Sequence, residues 1–218
     1  MRRLLREKFR LGLFDNPYLD VEQSLATVGK PEFRAAGEQA QRKSIVLLKN
    51  GQETPILPRQ DRPKIYIEGV NAAVAAQYAD IAETIDKADL AILRLKAPFE
   101  QRNNGDFLES FFHAGDLDFK EPEKSRLLAI LAQVPTIVDI YLDRPAVIPE
   151  IAAQSAALLA NFGASDAAVL DVIFGRFAPS GKLPFELPSS MEAVRKQKED
   201  LPYDSENPLF SFGYGLSY

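Results

Sequence analysis

Two hydrophobic rhythms alternate along this chain, and their alternation predicts the fold. Short, nearly continuous apolar runs occur at SIVLLKN (44–50), KIYIEGV (64–70), ADLAILRLK (88–96), TIVDIYLDRP (136–145) and SAALLANFG (155–163). Runs of this length and character suit strands whose two faces are both covered. Between them lie segments with helical signals. PEFRAAGEQAQRKS (31–44) starts on Pro, NAAVAAQYA (71–79) has Asn71 placed as an N-cap, and EPEKSRLLAILAQ (121–133) carries Pro and acidic residues in its first turn. PEIAAQ (149–154) reads as a short helix, and SDAAVLDVIFG (165–175) has Ser165 at the cap and Gly175 just past the end. Strands alternating with helices at this spacing predict an α/β fold, a layered sandwich with a mostly parallel central sheet and helices on both faces.

The ends follow other patterns. MRRLLREKFRLGLF (1–14) puts Leu5, Phe9 and Leu13 on one side of a helix and Arg2, Arg6 and Arg10 on another. Its recurring charges leave no uninterrupted apolar stretch of the kind a signal peptide needs. DNPYLDVEQSLATVGK (15–30) reads as a connecting segment because of its Asn-Pro and isolated Gly. EAVRKQKED (192–200) reads as a solvated helix or linker, and the Pro residues of SGKLPFELP (180–188) confine any strand there to an edge. The final PLFSFGYGLSY (208–218) has no charged residue, so it is expected to be tucked against the domain itself. The expected organisation is 1–30 as helix and linker, 31–188 as the α/β domain, and 189–218 as a tail on that domain.

Composition narrows the chemistry. Of 218 residues, 46% are hydrophobic and 26% charged, the balance of a globular protein with a real core. A net charge of -5 offers no basic field for phosphate backbones, which argues against a nucleic-acid partner. The apolar runs are far too short to span a bilayer, so no membrane partner is expected. The absence of cysteine removes disulfides, thiolate ligands and cysteine nucleophiles, and the single histidine, His113, leaves too few soft ligands for a zinc site. No metal or cofactor is expected, and nothing in the residues fixes the compartment.

In open α/β sheets, ligands bind in loops at the carboxyl ends of strands. The longest polar loop in that position is APFEQRNNGDFLESFFHAGDLDF (97–119), following ADLAILRLK. Loops of this composition are most often only solvated, so the loop alone selects no reaction.

Four phrases, in order, supply the selection. RRLLREKFRLGLFDNPYLD, AQRKSIVLLKNGQETPILP, PSGKLPFELP and PYDSENPLFSFGYGLSY resemble the second domain of glycoside hydrolase family 3, over essentially the whole chain. The resemblance implies a two-domain enzyme in which a (β/α)8-type barrel precedes the α/β sandwich. The active site would lie between them and release β-linked sugars such as glucose or xylose from non-reducing ends, with retention. A barrel needs about 250 residues, so the resemblance also implies that the barrel and its aspartate nucleophile lie outside this chain. The partners expected are a β-linked glycoside and that barrel.

Retaining hydrolysis uses two carboxyl groups roughly 5–5.5 Å apart, one as nucleophile and one as acid/base. In the family the acid/base is a glutamate on a loop of the second domain, which points to Glu100 and Glu109, the glutamates between the strand and the next helix. Matching Pro98-Phe99 and Gly105-Asp106 favours Glu100, whereas matching Gly115-Asp116-Leu117 favours Glu109. Glu109 is preferred because Phe107, Leu108, Phe111 and Phe112 surround it in sequence, and apolar surroundings raise a carboxyl pKa. Arg102, Asp106 and His113 are the accompanying substrate-binding candidates. The competing reading is an autonomous α/β module that binds carbohydrate or another partner without catalysing anything.

Overall fold

The computed structural model describes residues 1–100 and 111–218. They form two compact units, 1–38 and 39–218.

In the first unit, α1 (Arg2–Arg10) leaves Leu4, Leu5 and Phe9 exposed, and Phe9 lies against Phe14 with ring centroids 4.6 Å apart. The connecting segment contains a helix that the sequence reading passed over, α2 (Val21–Thr27). It is started by Asp20, whose carboxylate accepts the Gln23 N–H at 3.0 Å. α3 (Pro31–Ser44) begins in this unit and runs into the second.

The second unit is built on one six-stranded sheet of β1 (Val46–Asn50), β2 (Lys64–Glu68), β3 (Asp80–Ile81), β4 (Leu90–Lys96), β5 (Thr136–Tyr141) and β6 (Ala157–Asn161). Their spatial order is β1-β6-β5-β4-β2-β3, with every pairing parallel except β1 with β6. Alternate residues of each strand supply two cores. Leu93, Leu95, Val138 and Ile140 meet α5 (Glu123–Leu131) and α6 (Pro149–Gln154) on one face. Ile65, Ile92, Ile137 and Leu159 meet α4 (Ala72–Ala75) and α7 (Asp166–Ile173) on the other. The helix caps follow the sequence signals: Asn71 accepts the Ala73 and Val74 amides, and Ser165 accepts that of Ala168. A last helix, α8 (Met191–Lys196), buries Ala193.

Residues 181–218 wrap the outer edge of β1. Leu216 pairs with Leu47 of that strand, Leu183 with Tyr214, and Leu187 with Phe210. The segment read as a possible edge strand thus contributes isolated pairings. Tyr218 donates its hydroxyl to the carbonyls of Val172 and Phe177, and burial pushes that phenol up to about 12. The wrap depends on close backbone approach, because a Cβ at Gly215 would sit 2.4 Å from the Gly181 carbonyl oxygen and 3.2 Å from Val46 Cγ1. Gly215→Ala is therefore expected to cost about 1–3 kcal/mol, as overpacking does. Urea unfolding should show a lowered midpoint with an unchanged slope, and an unchanged midpoint would mean that the tail is not held this tightly.

Candidate active site

The carboxyl ends of β4 and β5 set the stage. The pairing of these strands continues one residue past β4, where the Ala97 amide donates to the Tyr141 carbonyl at 2.9 Å. The chain then leaves the sheet through Pro98 and Phe99. Glu100 makes the last described contact of the outgoing limb, donating its amide to the Ala114 carbonyl at 2.9 Å, so residues 100 and 114 form the stem of the loop.

The Glu100 carboxylate folds back over the returning limb. A Cβ on Gly115 would lie 2.3 Å from Glu100 Cδ, and Glu100 Oε1 is 3.4 Å from the Asp116 amide nitrogen. Gly115 has φ +84, so glycine both adopts the backbone conformation and leaves room for the carboxylate. A concave space of about 380 Å³ opens beside the stem, lined by Lys96, Phe99, Glu100, Asp116 and Lys120 among others. Its size suits a small polar ligand. Asp116 is held below the usual carboxylate range by its ion pair with Lys120 at 2.6 Å, and the same pair raises Lys120.

Two residues beyond β5 grip the returning limb. Arg144 donates to the carbonyls of Ala114 and Gly115, both at 2.7 Å. Asp143 contacts Nδ1 of His113, whose ring stacks on Phe99 with centroids 3.8 Å apart and an interplanar angle of 11°. Two strands and both limbs of the loop are thereby tied together at one end of the sheet.

Of the candidates named from sequence, the structure places Glu100 and His113 at this stem. Arg102, Asp106 and Glu109 lie outside the described residues. Phe111 and Phe112 are exposed, at 65% and 71%, so these two rings do not themselves exclude water from the neighbourhood of the loop. Sequence reasoning missed Asp143 and Arg144. Their signal was an Asp-Arg pair immediately after a buried strand, at the end of the sheet where ligands bind.

It also missed a charged network beneath the strand ends. Asp139 of β5 is fully buried, with Arg94 Nε 3.2 Å from one oxygen and the Asn161 amide donating to both at 2.9 and 3.0 Å. Burial pushes its carboxyl up to about 6, against the opposing pull of Arg94 and Asn161. Arg94 also binds Asp166 and the Ala164 carbonyl at the start of α7. Asp166 in turn accepts the Asn71 amide at 3.0 Å, which links α4 to the same hub.

Comparison with known proteins agrees with this architecture. Residues 65–218 match the sequence profile of the glycosyl hydrolase family 3 C-terminal domain. The chain is 50% identical, over 220 aligned positions, to a probable beta-glucosidase C from Aspergillus flavus, covering 100% of this chain and 34% of that protein. It is 38% identical to a periplasmic beta-glucosidase/beta-xylosidase from Dickeya chrysanthemi, covering 100% of this chain and 33% of that one. The chain thus spans about a third of the length of these curated relatives. Among solved structures, a beta-glucosidase from Erythrobacter marinus superposes with TM-score 0.76 at 22% identity, covering 99% of this chain and 39% of that one. A beta-glucosidase from Listeria innocua in complex with glucose gives 0.73 at 20%, covering 99% and 38%. These two likenesses concern the fold. With the profile match over 65–218 and similarity along the whole of this chain to a third of the length of curated beta-glucosidases, the chain belongs to glycosyl hydrolase family 3, as its C-terminal domain.

Proposed function

We propose that this domain supplies the general acid/base of a retaining, exo-acting β-glycosidase, together with part of the sugar subsite. The aspartate nucleophile would belong to a barrel domain outside this chain. The carrying observation is the clamped stem: a long loop bearing two glutamates is anchored by Arg144, Asp143 and Glu100 at the carboxyl end of the sheet. A rigid stem is what a loop needs to hold a carboxyl group within the short range that proton transfer demands. In this reading Glu100 pins the stem through Gly115 and Asp116, and Glu109 is the proton donor. Arg102, Asp106 and His113 contact sugar hydroxyls. The exposed apolar side of α1, with Leu4, Leu5 and Phe9, fits a surface that meets the barrel.

The substrate class is a β-linked glucoside or xyloside, by analogy with the relatives named above. Double displacement has no covalent route without the nucleophile. The 218-residue chain alone is therefore expected to leave an aryl β-glucoside intact, while the same chain joined to its barrel hydrolyses it. Sustained turnover by the purified 218-residue chain would sink this division of labour.

A further inference from the structure

His113 and Asp143 are brought together from two different loops, 30 residues apart in sequence. The imidazole is held on two sides: its Nδ1 edge meets the Asp143 carboxylate, and one face lies flat on Phe99. The side chain remains 38% exposed, whereas Asp143 is 23% exposed, so the carboxylate is the more sheltered partner. Among the described residues no group bonds Nε2. With Nδ1 committed to Asp143 and more than a third of the side chain exposed, Nε2 is the ring nitrogen left to meet a ligand.

A carboxylate can only accept hydrogen bonds, so a neutral imidazole beside it must carry its proton on Nδ1. We propose that Asp143 is a positioning residue for His113, fixing the Nδ1–H tautomer so that Nε2 accepts a hydrogen bond from a hydroxyl of a bound sugar. The contact with sugar rests on the glycosidase reading above, whereas the tautomer does not. Arg144 supports the same geometry from the next position by holding the carbonyls of Ala114 and Gly115, the residues that follow His113. The arrangement follows the general pattern in which an outer partner sets the tautomer and aim of a functional histidine.

The chain has a single histidine, so long-range 1H–15N spectra of the 218-residue chain show one imidazole. At about pH 9, above the range in which imidazoles ordinarily protonate, wild type is expected to show a protonated Nδ1 and a lone-pair-bearing Nε2. Asp143→Ala is expected to lose that preference, and Asp143→Glu to recover part of it. An Nε2–H tautomer in wild type overturns the proposal even if the variants fail to fold, and an unchanged tautomer in a folded Asp143→Ala does so as well. In the enzyme that includes the barrel, Asp143→Ala should raise KM for an aryl β-glucoside about 10–100-fold with kcat little changed, since a hydroxyl contact is kept throughout the reaction. A KM equal to wild type overturns the sugar contact, because a purely structural clamp has no reason to move KM alone. If wild-type enzyme hydrolyses no glycoside, the glycosidase reading fails, and the tautomer still decides the role of Asp143.

Discussion

Arg94→Ala should destabilise the domain by about 3–5 kcal/mol near neutral pH, the range seen when one member of a buried ion pair is removed. Asp139 is 0% exposed, and Arg94 is the cation beside it, 3.2 Å from its carboxylate. Removing the guanidinium leaves the two hydrogen bonds from Asn161 to hold a full charge inside the sheet. It also releases Asp166 and the Ala164 carbonyl, which loosens the start of α7. The cost depends on pH. The folded Asp139 carboxyl titrates at about 6, above the unfolded value of about 3.9, so the native state favours its protonated form. This contribution is fully present below about pH 4 and is lost as pH rises through about 6, amounting to about 3 kcal/mol over that window. Two outcomes follow for urea unfolding measured across pH. The penalty of Arg94→Ala should shrink as pH falls toward 6, because without the opposing pull of Arg94 the Asp139 carboxyl takes up its proton at a higher pH than in wild type. The stability of wild type relative to Asp139→Asn should fall between about pH 4 and 6, since the asparagine cannot titrate. A penalty for Arg94→Ala that stays constant from about pH 8 down to about pH 6 would show that Asp139 is not the group responsible.

The same network shows where sequence reading stops. Strands β1, β2, β4, β5 and β6 were legible because strands covered on both faces leave near-continuous apolar runs. α4 and α7 were legible because Asn71 and Ser165 cap them in the expected way. β3 has two residues, too few to produce a pattern. α2 was obscured by Asn16-Pro17 on one side and Gly29 on the other, although Asp20 three residues before Gln23 is an ordinary N-cap signal. Arg94 and Asp139 stood in plain sight as lone charges within apolar runs. A sequence cannot say that they face each other across adjacent strands, although pairing a buried charge with its opposite is what the cost of desolvation demands. The clamp was less legible still, because His113 and Asp143 meet only once β4 and β5 are paired and both loops leave the same end of the sheet. What sequence did locate was the loop itself, through the rule that α/β sheets place chemistry beyond the carboxyl ends of their strands. Family resemblance then turned two of its glutamates into candidates for a particular role.

Those two glutamates are expected to separate kinetically once the domain is joined to its barrel. A general acid contributes typically 10²–10⁴-fold, so Glu109→Gln should lower kcat for a glycoside with a poor leaving group by about that factor. The deficit should be far smaller for an aryl glycoside whose phenolate departs without a proton. Deglycosylation still needs a base to activate water, so the covalent intermediate should accumulate, and azide, a nucleophile that needs no base, should restore turnover and yield a glycosyl azide with retained configuration. Glu100→Gln should behave differently. Its carboxylate lies over Gly115 with one oxygen near the Asp116 amide, and a neutral amide of the same shape can keep much of that packing. A modest loss shared between good and poor leaving groups, without azide rescue, is the mark of a loosened stem rather than a missing acid. If instead Glu100→Gln shows the leaving-group dependence and the azide rescue while Glu109→Gln does not, the two roles are exchanged. The carboxylate folded against Gly115 would then have to swing away from the returning limb to reach the glycosidic oxygen.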